Sequence, residues 1–464
     1  MSINTDYLII GGGASGMAFA DTLCTHTNAK ITIVDRGHSP GGHWNHAYPF
    51  VRLHQPSSFY GVPSKELGCN EIDTVGGNKG LYELASGSEV RGYFQQVLDQ
   101  KLLPTGRVRY FGNSEYRDDG SIYSKVSGKA HDVSVRIKTV DTGYMGGAIP
   151  ATHTRKFDVN ANISCVSPSQ LAEVQNAAAQ YVIIGSGKTG IDVCLWLLDQ
   201  GVRPDQIVWV MPRDAWFIDR RGFQPTADFY DDRLHLAVKE NEAIIAAGSF
   251  DDLFDRLEHA GSLMRLDRDI KPTAYKCATV TMKELEALRR IKNIVRLGHL
   301  KQIFEGQLVL ENGVYATREN AIHVDCSATG IPKVNAKPIY DNDRIHVQCV
   351  RTCQPTFSAA LIAYIEVVGT DDTHKNSLSV PIPYPTDDKD WISQKLISGQ
   401  NQLAWVQNEI IRNWLKECRL DVLKSGQSPS KRTAEQDIMA LKLKNTFFAA
   451  YTKLQSFADD MKVK

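Results

Sequence analysis

The hydrophobic pattern of this chain repeats one arrangement twice. Residues 7–10 and 181–184 are short, continuously apolar runs, which are typical of strands buried in a parallel sheet. A Gly-x-Gly-x-x-Gly sequence follows each run directly, at 11–16 and 185–190, and a helical pattern of small and apolar residues comes next. This order of strand, glycine turn and helix predicts an α/β chain with two Rossmann-type units.

The rest of the pattern predicts further strands around these units and helices toward the C-terminus. Predicted strands cover 30–35, 108–111, 123–140, 207–211, 294–297, 307–310 and 322–326. Predicted helices cover 89–100, 188–199, 405–415 and 437–461. The charged stretch 231–292 is predicted to be largely helical, and 37–68 is a loop rich in glycine, histidine and aromatic residues.

Charge, hydropathy and cysteine content narrow the class of protein. Lys plus Arg and Asp plus Glu both number 53, so the net charge of zero favours neither nucleic acid nor an anionic membrane as a partner. The N-terminal residues lack the basic segment of a signal peptide, and no apolar stretch approaches the roughly 20 residues that span a bilayer. The nine cysteines are odd in number and scattered, which favours free or buried thiols in a reducing compartment. We therefore expect a cytoplasmic protein.

The glycines of the first fingerprint have separate physical tasks. Gly11 permits the turn after the strand, Gly13 lets the backbone approach a pyrophosphate, and Gly16 lets helix and strand pack closely. Ala14 and Ser15 complete the turn. The phosphates are expected on the helix N-terminus, where free N–H groups and the helix dipole favour negative charge.

The second fingerprint repeats the same spacing. Its predicted cofactor-binding residues are Gly185, Gly187, Lys188, Thr189 and Gly190. Lys188 is not the lysine of a P-loop, because that spacing requires glycine at position 182, which is valine. Two fingerprints indicate two dinucleotides and an enzyme that passes electrons between them.

The residues at the end of each second strand distinguish the two dinucleotides. Asp35 is placed to accept hydrogen bonds from a ribose hydroxyl and would repel a 2′-phosphate, so the first site is expected to hold FAD or NAD. Arg213 occupies the comparable region of the second unit, where a guanidinium can pair with a 2′-phosphate. This contrast favours NADPH over NADH at the second site, although an arginine after a strand is also common on protein surfaces.

Two further segments resemble a known family. Asp35 and Arg36 precede the sequence Gly-Gly-His-Trp at 41–44, and the strand at 322–326 runs into Ala-Thr-Gly at 328–330. Both segments resemble two-dinucleotide flavoproteins, especially the flavin-containing and Baeyer–Villiger monooxygenases. The resemblance implies FAD at the first fingerprint and NADPH at the second. The expected FAD-binding residues are therefore those of the first fingerprint and the segments that follow it: Gly11, Gly13, Ala14, Ser15, Gly16, Asp35, Arg36, Gly42, His43, Trp44, Thr329 and Gly330.

The resemblance also implies a discontinuous FAD domain. Its first part would cover 1–177, and an NADPH domain would follow over 178–325 with a helical insertion at about 223–291. Residues 326–464 would return to the FAD domain and end in helices, which could join copies of the chain into a homo-oligomer.

The implied reaction is oxygenation of a small organic substrate at nitrogen, sulfur or a ketone carbon. O₂ would react through a C4a-(hydro)peroxyflavin. The catalytic candidates are Arg52, which ends a Tyr-Pro-x-x-Arg stretch similar to that of Baeyer–Villiger enzymes, and His54 and Gln55, which follow it; in those enzymes an aspartate stands at the position of His54. His54 can change charge near neutral pH and so tune a proton at the flavin, or it can merely brace its loop.

Several features keep other functions open. The linker at 157–166 lacks the glycine and histidine that the monooxygenases carry before their second fingerprint. One alternative is an NAD(P)H-dependent flavin reductase or oxidase that passes electrons to a quinone, a carrier or O₂. Another is a redox sensor or interaction protein that holds FAD. Cys349 and Cys353 are the only cysteines close together in sequence, and their position fits no known redox placement, so we expect the cysteines to be structural. The clustered histidines His43, His46 and His54 are expected to form hydrogen bonds and not to bind a metal.

Overall fold

The computed structural model describes residues 2–423 and 432–463. Its strands are β1 (Ile3–Ile10), β2 (Ile31–Val34), β3 (Val108–Phe111), β4 (Ser114–Tyr116), β5 (Ser121–Ser124), β6 (Ala130–Asp141), β7 (Asp158–Val159), β8 (Cys165–Val166), β9 (Tyr181–Ile184), β10 (Ile207–Val210), β11 (Ala215–Asp219), β12 (Ala274–Val280), β13 (Asn293–Val295), β14 (Leu300–Phe304), β15 (Gln307–Leu310), β16 (Gly313–Ala316), β17 (Ile322–Asp325), β18 (Tyr340–Asp341) and β19 (Arg344–His346). Its helices are α1 (Ala14–His26), α2 (Gly87–Val97), α3 (Pro168–Leu171), α4 (Lys188–Asp199), α5 (Tyr230–Ala246), α6 (Phe250–His259), α7 (Met282–Leu288), α8 (Pro355–Val368), α9 (Asp372–Ser377), α10 (Asp388–Gln407), α11 (Glu409–Glu417) and α12 (Ala434–Val463).

The first sheet is built from distant parts of the chain. Its strand order is β18-β19-β6-β1-β2-β3, and β4 and β5 extend it from β6. The strands β19, β6, β1, β2 and β3 are parallel to one another. Helix α1 connects β1 to β2, which gives the crossover expected after the first fingerprint.

The second sheet repeats this arrangement around the second fingerprint. Its order is β13-β10-β9-β17-β8, all parallel, and α4 connects β9 to β10. The prediction of two Rossmann-type α/β units is therefore confirmed. The strands β7 and β8 precede residue 178, yet they pair with β14 and β17. Sheet pairing thus crosses the predicted domain limit, and the domain bounds stay a prediction.

Helix α8 is a buried element that the hydrophobic pattern did not single out. It packs against the fingerprint helix α1, and both belong to one core cluster with β1 and β2. Ten of its residues are buried, including Phe357 and Leu361, as expected of a helix enclosed on several sides. Its N-terminus lies directly after Cys353 and Gln354.

The expected helical character of 223–291 is wrong over one segment. Residues Ala274–Val280 form β12, which pairs in parallel with β11. Short apolar runs fit a buried strand and a buried helix equally well, and the strand here is limited by Pro272 and by Thr281, whose side chain caps α7.

Two smaller predictions need correction as well. The predicted helix 405–415 is split at Asn408, because the side chain of Asn408 accepts a hydrogen bond from Ile411 N at 3.1 Å and begins a new helix, α11. The expectation that all cysteines are unpaired is wrong, since Cys277 and Cys353 form a disulfide. In the part of the chain that the structure describes, the other seven cysteines are free.

Among the helices within 2–423 and 432–463, none is long and apolar enough to pass through a membrane.

A buried ionic group fastens α8 to the first sheet. Glu366 on α8 accepts hydrogen bonds from Tyr7 OH at 3.1 Å and from Lys375 Nζ at 2.7 Å. Burial and the neighbouring Glu366 carboxylate raise the pKa of Tyr7 above its usual range, so Tyr7 donates at all physiological pH values. A second ammonium, that of Lys138, lies 4.0 Å from Glu366 and pairs with Asp372.

We expect Lys375→Met to lower the free energy of unfolding by about 3 kcal/mol, because Glu366 then keeps its buried charge without its closest cation. Chemical denaturation followed by circular dichroism measures this loss. The matched control is Lys442→Met, which removes an ammonium from an exposed pair with Glu242 and is expected to cost less than about 1 kcal/mol. Equal losses in the two variants would contradict the role given to the buried pair.

Candidate functional site: two dinucleotide cradles

The first fingerprint forms an open cradle at the carboxyl end of β1. Gly11 has φ +106°, a conformation that side chains strongly disfavour. A Cβ on Gly16 would overlap the carbonyl oxygen of Gly11, so the third glycine is required for α1 to approach β1. Gly13 is the N-cap of α1, and neither a capping side chain nor an acidic residue engages the first turn. The N-terminal amides of α1 are therefore available to an anion.

The second fingerprint has the same geometry. Gly185 has φ +116°, and a Cβ on Gly190 would overlap the Gly185 carbonyl oxygen. Gly187 is the N-cap of α4, again without a capping side chain or an acidic first turn. A Cβ on Gly187 would meet no atom within 4 Å, so the position faces open space. Trp209 fixes the turn by donating from Nε1 to Gly185 O at 2.9 Å.

Asp35 closes the first cradle at the end of β2. Its carboxylate accepts from Gly12 N and from Gly37 N, both at 2.6 Å, and thereby ties the fingerprint turn to the turn after β2. The side chain is half-buried at the edge of the cradle, the position predicted for a ribose contact, while Arg36 is exposed. One residue that the sequence did not reveal is Thr142, whose Oγ1 donates to Ile10 O at 2.8 Å beside the turn.

The Gly-Gly-His-Trp segment packs directly against the cradle. A Cβ on Gly42 would lie 2.9 Å from Gly13 Cα, so the two backbones are in close contact. Trp44 is buried and donates from Nε1 to Tyr60 OH at 2.8 Å. This hydrogen bond ties the Gly-Gly-His-Trp segment to the loop that follows it. His43 keeps an exposed edge. The protein packed around the rest of its ring disfavours the charged form and lowers the pKa of His43.

The loop after this segment connects the two cradles. Tyr48 OH donates to Asp192 Oδ2 at 2.7 Å, which links the first unit to α4. Lys188, predicted to contact phosphate, pairs with the same carboxylate and donates to Arg52 O at 3.3 Å. Burial raises the pKa of Asp192, while the adjacent Lys188 ammonium opposes that rise. The Arg52 guanidinium, by contrast, donates to Leu84 O at 2.8 Å, within the first unit.

His54 is held by hydrogen bonds at two of its atoms. The side chain of Gln55, the next residue, makes no hydrogen bond within residues 2–423 and 432–463. Arg220 Nε donates to His54 O at 2.7 Å, and Thr279 N donates to His54 Nδ1 at 3.4 Å. A ring nitrogen that accepts from an amide carries no proton, so the neutral ring is protonated at Nε2. Burial, with the Lys188 and Arg220 charges, holds the pKa of His54 well below its usual value. The ring is therefore an uncharged Nε2–H donor at neutral pH.

Arg220 is a buried residue that the sequence did not reveal as part of the site. Only 3% of its surface is exposed, and it also donates to Asn78 Oδ1 at 3.0 Å and to Thr279 O at 3.2 Å. Its charge is balanced by Glu284 at 3.0 Å. The guanidinium thus joins the His54 loop to β12 and α7. No local pattern marks it, because its partners come from four separate segments.

Arg213 lies beside the second cradle, as predicted. Ser186 in the fingerprint donates from Oγ to Arg213 O at 3.1 Å. The guanidinium pairs with Asp387 and donates to Thr386 O at 3.1 Å. Lys276 on β12 is close enough that burial and the charge of Arg213 lower its pKa. The Arg213 and Lys276 charges therefore act on each other.

Thr329 and Gly330 lie where the chain crosses back from the second unit. Gly330 and Ala148 exchange backbone hydrogen bonds of 3.1 Å, so the two crossings between the units run side by side. Lys156 Nζ donates to Thr329 Oγ1 at 3.4 Å. Both predicted residues are exposed. Their contact with a cofactor, like those of the other predicted site residues, stays a prediction.

Comparison with known proteins identifies relatives of the whole chain. A family model described as an NAD(P)-binding Rossmann-like domain matches residues 9–53, which include the first fingerprint and Asp35. An uncharacterized protein of Mycobacterium tuberculosis is 47% identical over 422 residues, covering 91% of this chain and 78% of the relative. The chain belongs to this mycobacterial protein family. A protein of Mycobacterium bovis matches to the same extent.

Two further similarities concern monooxygenases. A probable FAD-binding monooxygenase, AlmA, of Acinetobacter is 31% identical over 105 residues, which is 22% of this chain and 19% of that protein. This match confirms the resemblance to flavoprotein monooxygenases. A crystal structure of cyclohexanone monooxygenase in an open form aligns with a TM-score of 0.46 at 12% identity, covering 79% of this chain and 89% of that chain.

Two glycines of the second cradle are expected to respond differently to the same substitution. Gly190→Ala should lower the free energy of unfolding by about 1–3 kcal/mol, because the new methyl group overlaps backbone. Gly187→Ala should leave stability within about 0.5 kcal/mol but weaken dinucleotide binding at least about tenfold, because the methyl group fills the space for phosphate. Thermal unfolding and calorimetric titration with NADPH measure the two effects.

Gly92→Ala is the control for this pair, since Gly92 is exposed on α2 and its Cβ would also meet no atom within 4 Å. It should be neutral or slightly stabilising and should not change dinucleotide affinity. Unchanged affinity in Gly187→Ala would show that no phosphate lies against α4.

Proposed function

We propose that this protein is an FAD- and NADPH-dependent monooxygenase that oxygenates a small organic molecule with O₂. The observation that carries the proposal is the pair of matching cradles. Each combines a left-handed first glycine, a third glycine in close contact with backbone, and a helix N-terminus without a side-chain cap. Two such cradles in one chain suit a reaction that moves a hydride from one dinucleotide to another.

The charges at the cradle edges support the assignment of the two cofactors. Asp35 at the first cradle suits a ribose without a 2′-phosphate, as in FAD. Arg213, whose carbonyl oxygen accepts a hydrogen bond from Ser186 of the second fingerprint, suits the 2′-phosphate of NADPH. Tyr48 contacts Asp192 and Lys188 contacts the Arg52 carbonyl oxygen, and these contacts hold α4 against the first unit, which suits two cofactor rings that must meet.

The residues of this chain would bind the flavin and control one proton near it. FAD, when bound, accepts a hydride from NADPH and passes electrons to O₂. His54 would offer its Nε2 proton as a neutral donor, because Thr279 occupies Nδ1 and the surroundings suppress the charged form. Arg220 would act as a positioning residue, since it holds the backbone of His54 and of β12 at once.

One experiment tests the proposal against its main alternative. The purified protein should turn yellow with FAD, lose that colour when NADPH is added without oxygen, and regain it with air. With a substrate, NADPH consumption should exceed the release of H₂O₂ and match product formation. H₂O₂ equal to NADPH with every substrate class would favour a flavin oxidase or reductase. A yellow protein that NADPH fails to bleach would favour a structural FAD.

The second cofactor assignment yields a separate prediction. Arg213→Ala should weaken NADPH binding by about tenfold or more and change NADH binding less than about threefold, because only NADPH carries the 2′-phosphate. Asp387→Asn is the matched variant, because it releases Arg213 from an exposed ion pair and should tighten NADPH by up to about fivefold. Fluorescence titration with both nucleotides measures the effects. Equal losses for NADPH and NADH in Arg213→Ala would remove the phosphate assignment.

A further inference from the structure

The Cys277–Cys353 disulfide joins β12, the strand that contacts His54, to the segment just before α8. Cys277 lies within β12, two residues before Thr279, whose amide contacts the His54 ring. Cys353 precedes Gln354, the N-cap of α8. The Cα atoms are 6.5 Å apart, and 76 residues separate the two cysteines in sequence. The bond therefore connects the strand that positions His54 with the helix packed on α1.

The backbone on both sides of the bond is unusual. Cys277 and Cys353 have φ of +54° and +53°, in the left-handed region that non-glycine residues rarely adopt. Pairing of β12 with β11 is also irregular here, because Tyr275 pairs with Trp216 and Thr279 with Ile218. Three residues of β12 thus face one of β11, a bulge that redirects side chains. The disulfide thus links two positions of irregular backbone.

Two buried amide oxygens beside the bond lack donors. Gln354 and Gln394 are only 6% and 3% exposed, and the Oε1 of each has no hydrogen-bond partner in the described chain. Gln394 contacts the bond through Nε2, which lies 4.0 Å from Cys353 Sγ. A disulfide carries no hydrogen, whereas two thiols supply two S–H donors. Rotation of the Gln394 amide would then turn its oxygen toward such a donor.

We propose that Cys277 and Cys353 are a reversible redox pair and not a fixed crosslink. In the oxidising step, two thiols and one molecule of H₂O₂ give the disulfide and two molecules of water. In the reducing step, the thiolate of an external thiol attacks Cys353 Sγ and the Cys277 thiolate leaves and takes up a proton. A second molecule of the thiol then attacks the reagent sulfur of the mixed disulfide and releases the Cys353 thiolate, which leaves two protein thiols and one oxidised reagent.

The accessibility of the two cysteines sets this order of attack. Cys353 is half-buried, whereas Cys277 is 8% exposed. Cys353 lies just before the N-terminus of the 14-residue helix α8, which stabilises a negatively charged sulfur and makes Cys353 a good leaving group when the mixed disulfide is resolved. The pair itself does not depend on the proposed function, although an oxygen-reducing flavoprotein would release the peroxide that oxidises it.

The experiment uses the full chain without flavin or NADPH, so failure of the proposed function leaves it unaffected. The protein is equilibrated in glutathione buffers of increasing reducing strength, the free thiols are alkylated, and the Cys277–Cys353 linked peptide is quantified by mass spectrometry. Near-ultraviolet circular dichroism follows the fold in the same samples. We expect full reduction with the fold retained, and full return of the linked peptide after H₂O₂ is added.

A variant tests the role of the buried amide. Gln394→Met removes the acceptor for S–H and should shift the glutathione equilibrium about tenfold toward the disulfide. Cys349→Ser, which alters a buried free thiol four residues from Cys353, should leave the equilibrium unchanged. If Gln394→Met does not fold, Gln354→Met replaces it.

Three results would overturn the proposal. Reduction that occurs only as the circular dichroism signal is lost would identify a fixed structural crosslink. Two free thiols after peroxide treatment would show that no pair forms. An unshifted equilibrium in the glutamine variant would remove the physical basis for reversibility.

Discussion

Close contact between a helix N-terminus and the strand before it is the constraint on which this structure depends. At both fingerprints the third glycine lies against the carbonyl oxygen of the first, where any side chain would overlap backbone. Because each helix then begins at the end of its strand, its free amides point into the space beyond the sheet. The phosphate cradles, the loops around them and the crossings between the units are all arranged relative to these two contacts.

The region between the cradles is held by charge. Asp192 on α4 receives both the Lys188 ammonium and the Tyr48 hydroxyl, so one carboxylate ties the second fingerprint to the loop that carries His54. A dinucleotide phosphate bound at this cradle, as proposed above, would compete with Asp192 for Lys188. If phosphate attracts Lys188, Asp192 keeps its bond to Tyr48, and the link between the units is weakened without being broken.

The sequence predicts the elements that depend on residues close together in the chain, and it misses those that depend on residues far apart. The elements β1, α1, β2, β9, α4 and β10 depend on adjacent residues, and the pattern predicts them well. Strand β12 depends on pairing with β11, about 60 residues earlier, which no local pattern reveals. The same reason hides Arg220 and the partner of Cys277, since their contacts come together only in the folded chain.

The insertion around β12 matters more to the candidate site than its sequence suggested. One strand supplies Lys276 beside Arg213, Cys277 in the disulfide and Thr279 on the His54 ring. Successive residues of a strand point to opposite faces, so a regular strand would place Lys276 on one face and Cys277 and Thr279 on the other. The bulge interrupts this alternation between Tyr275 and Thr279, where these residues lie. Displacement of β12 would consequently act on all three together.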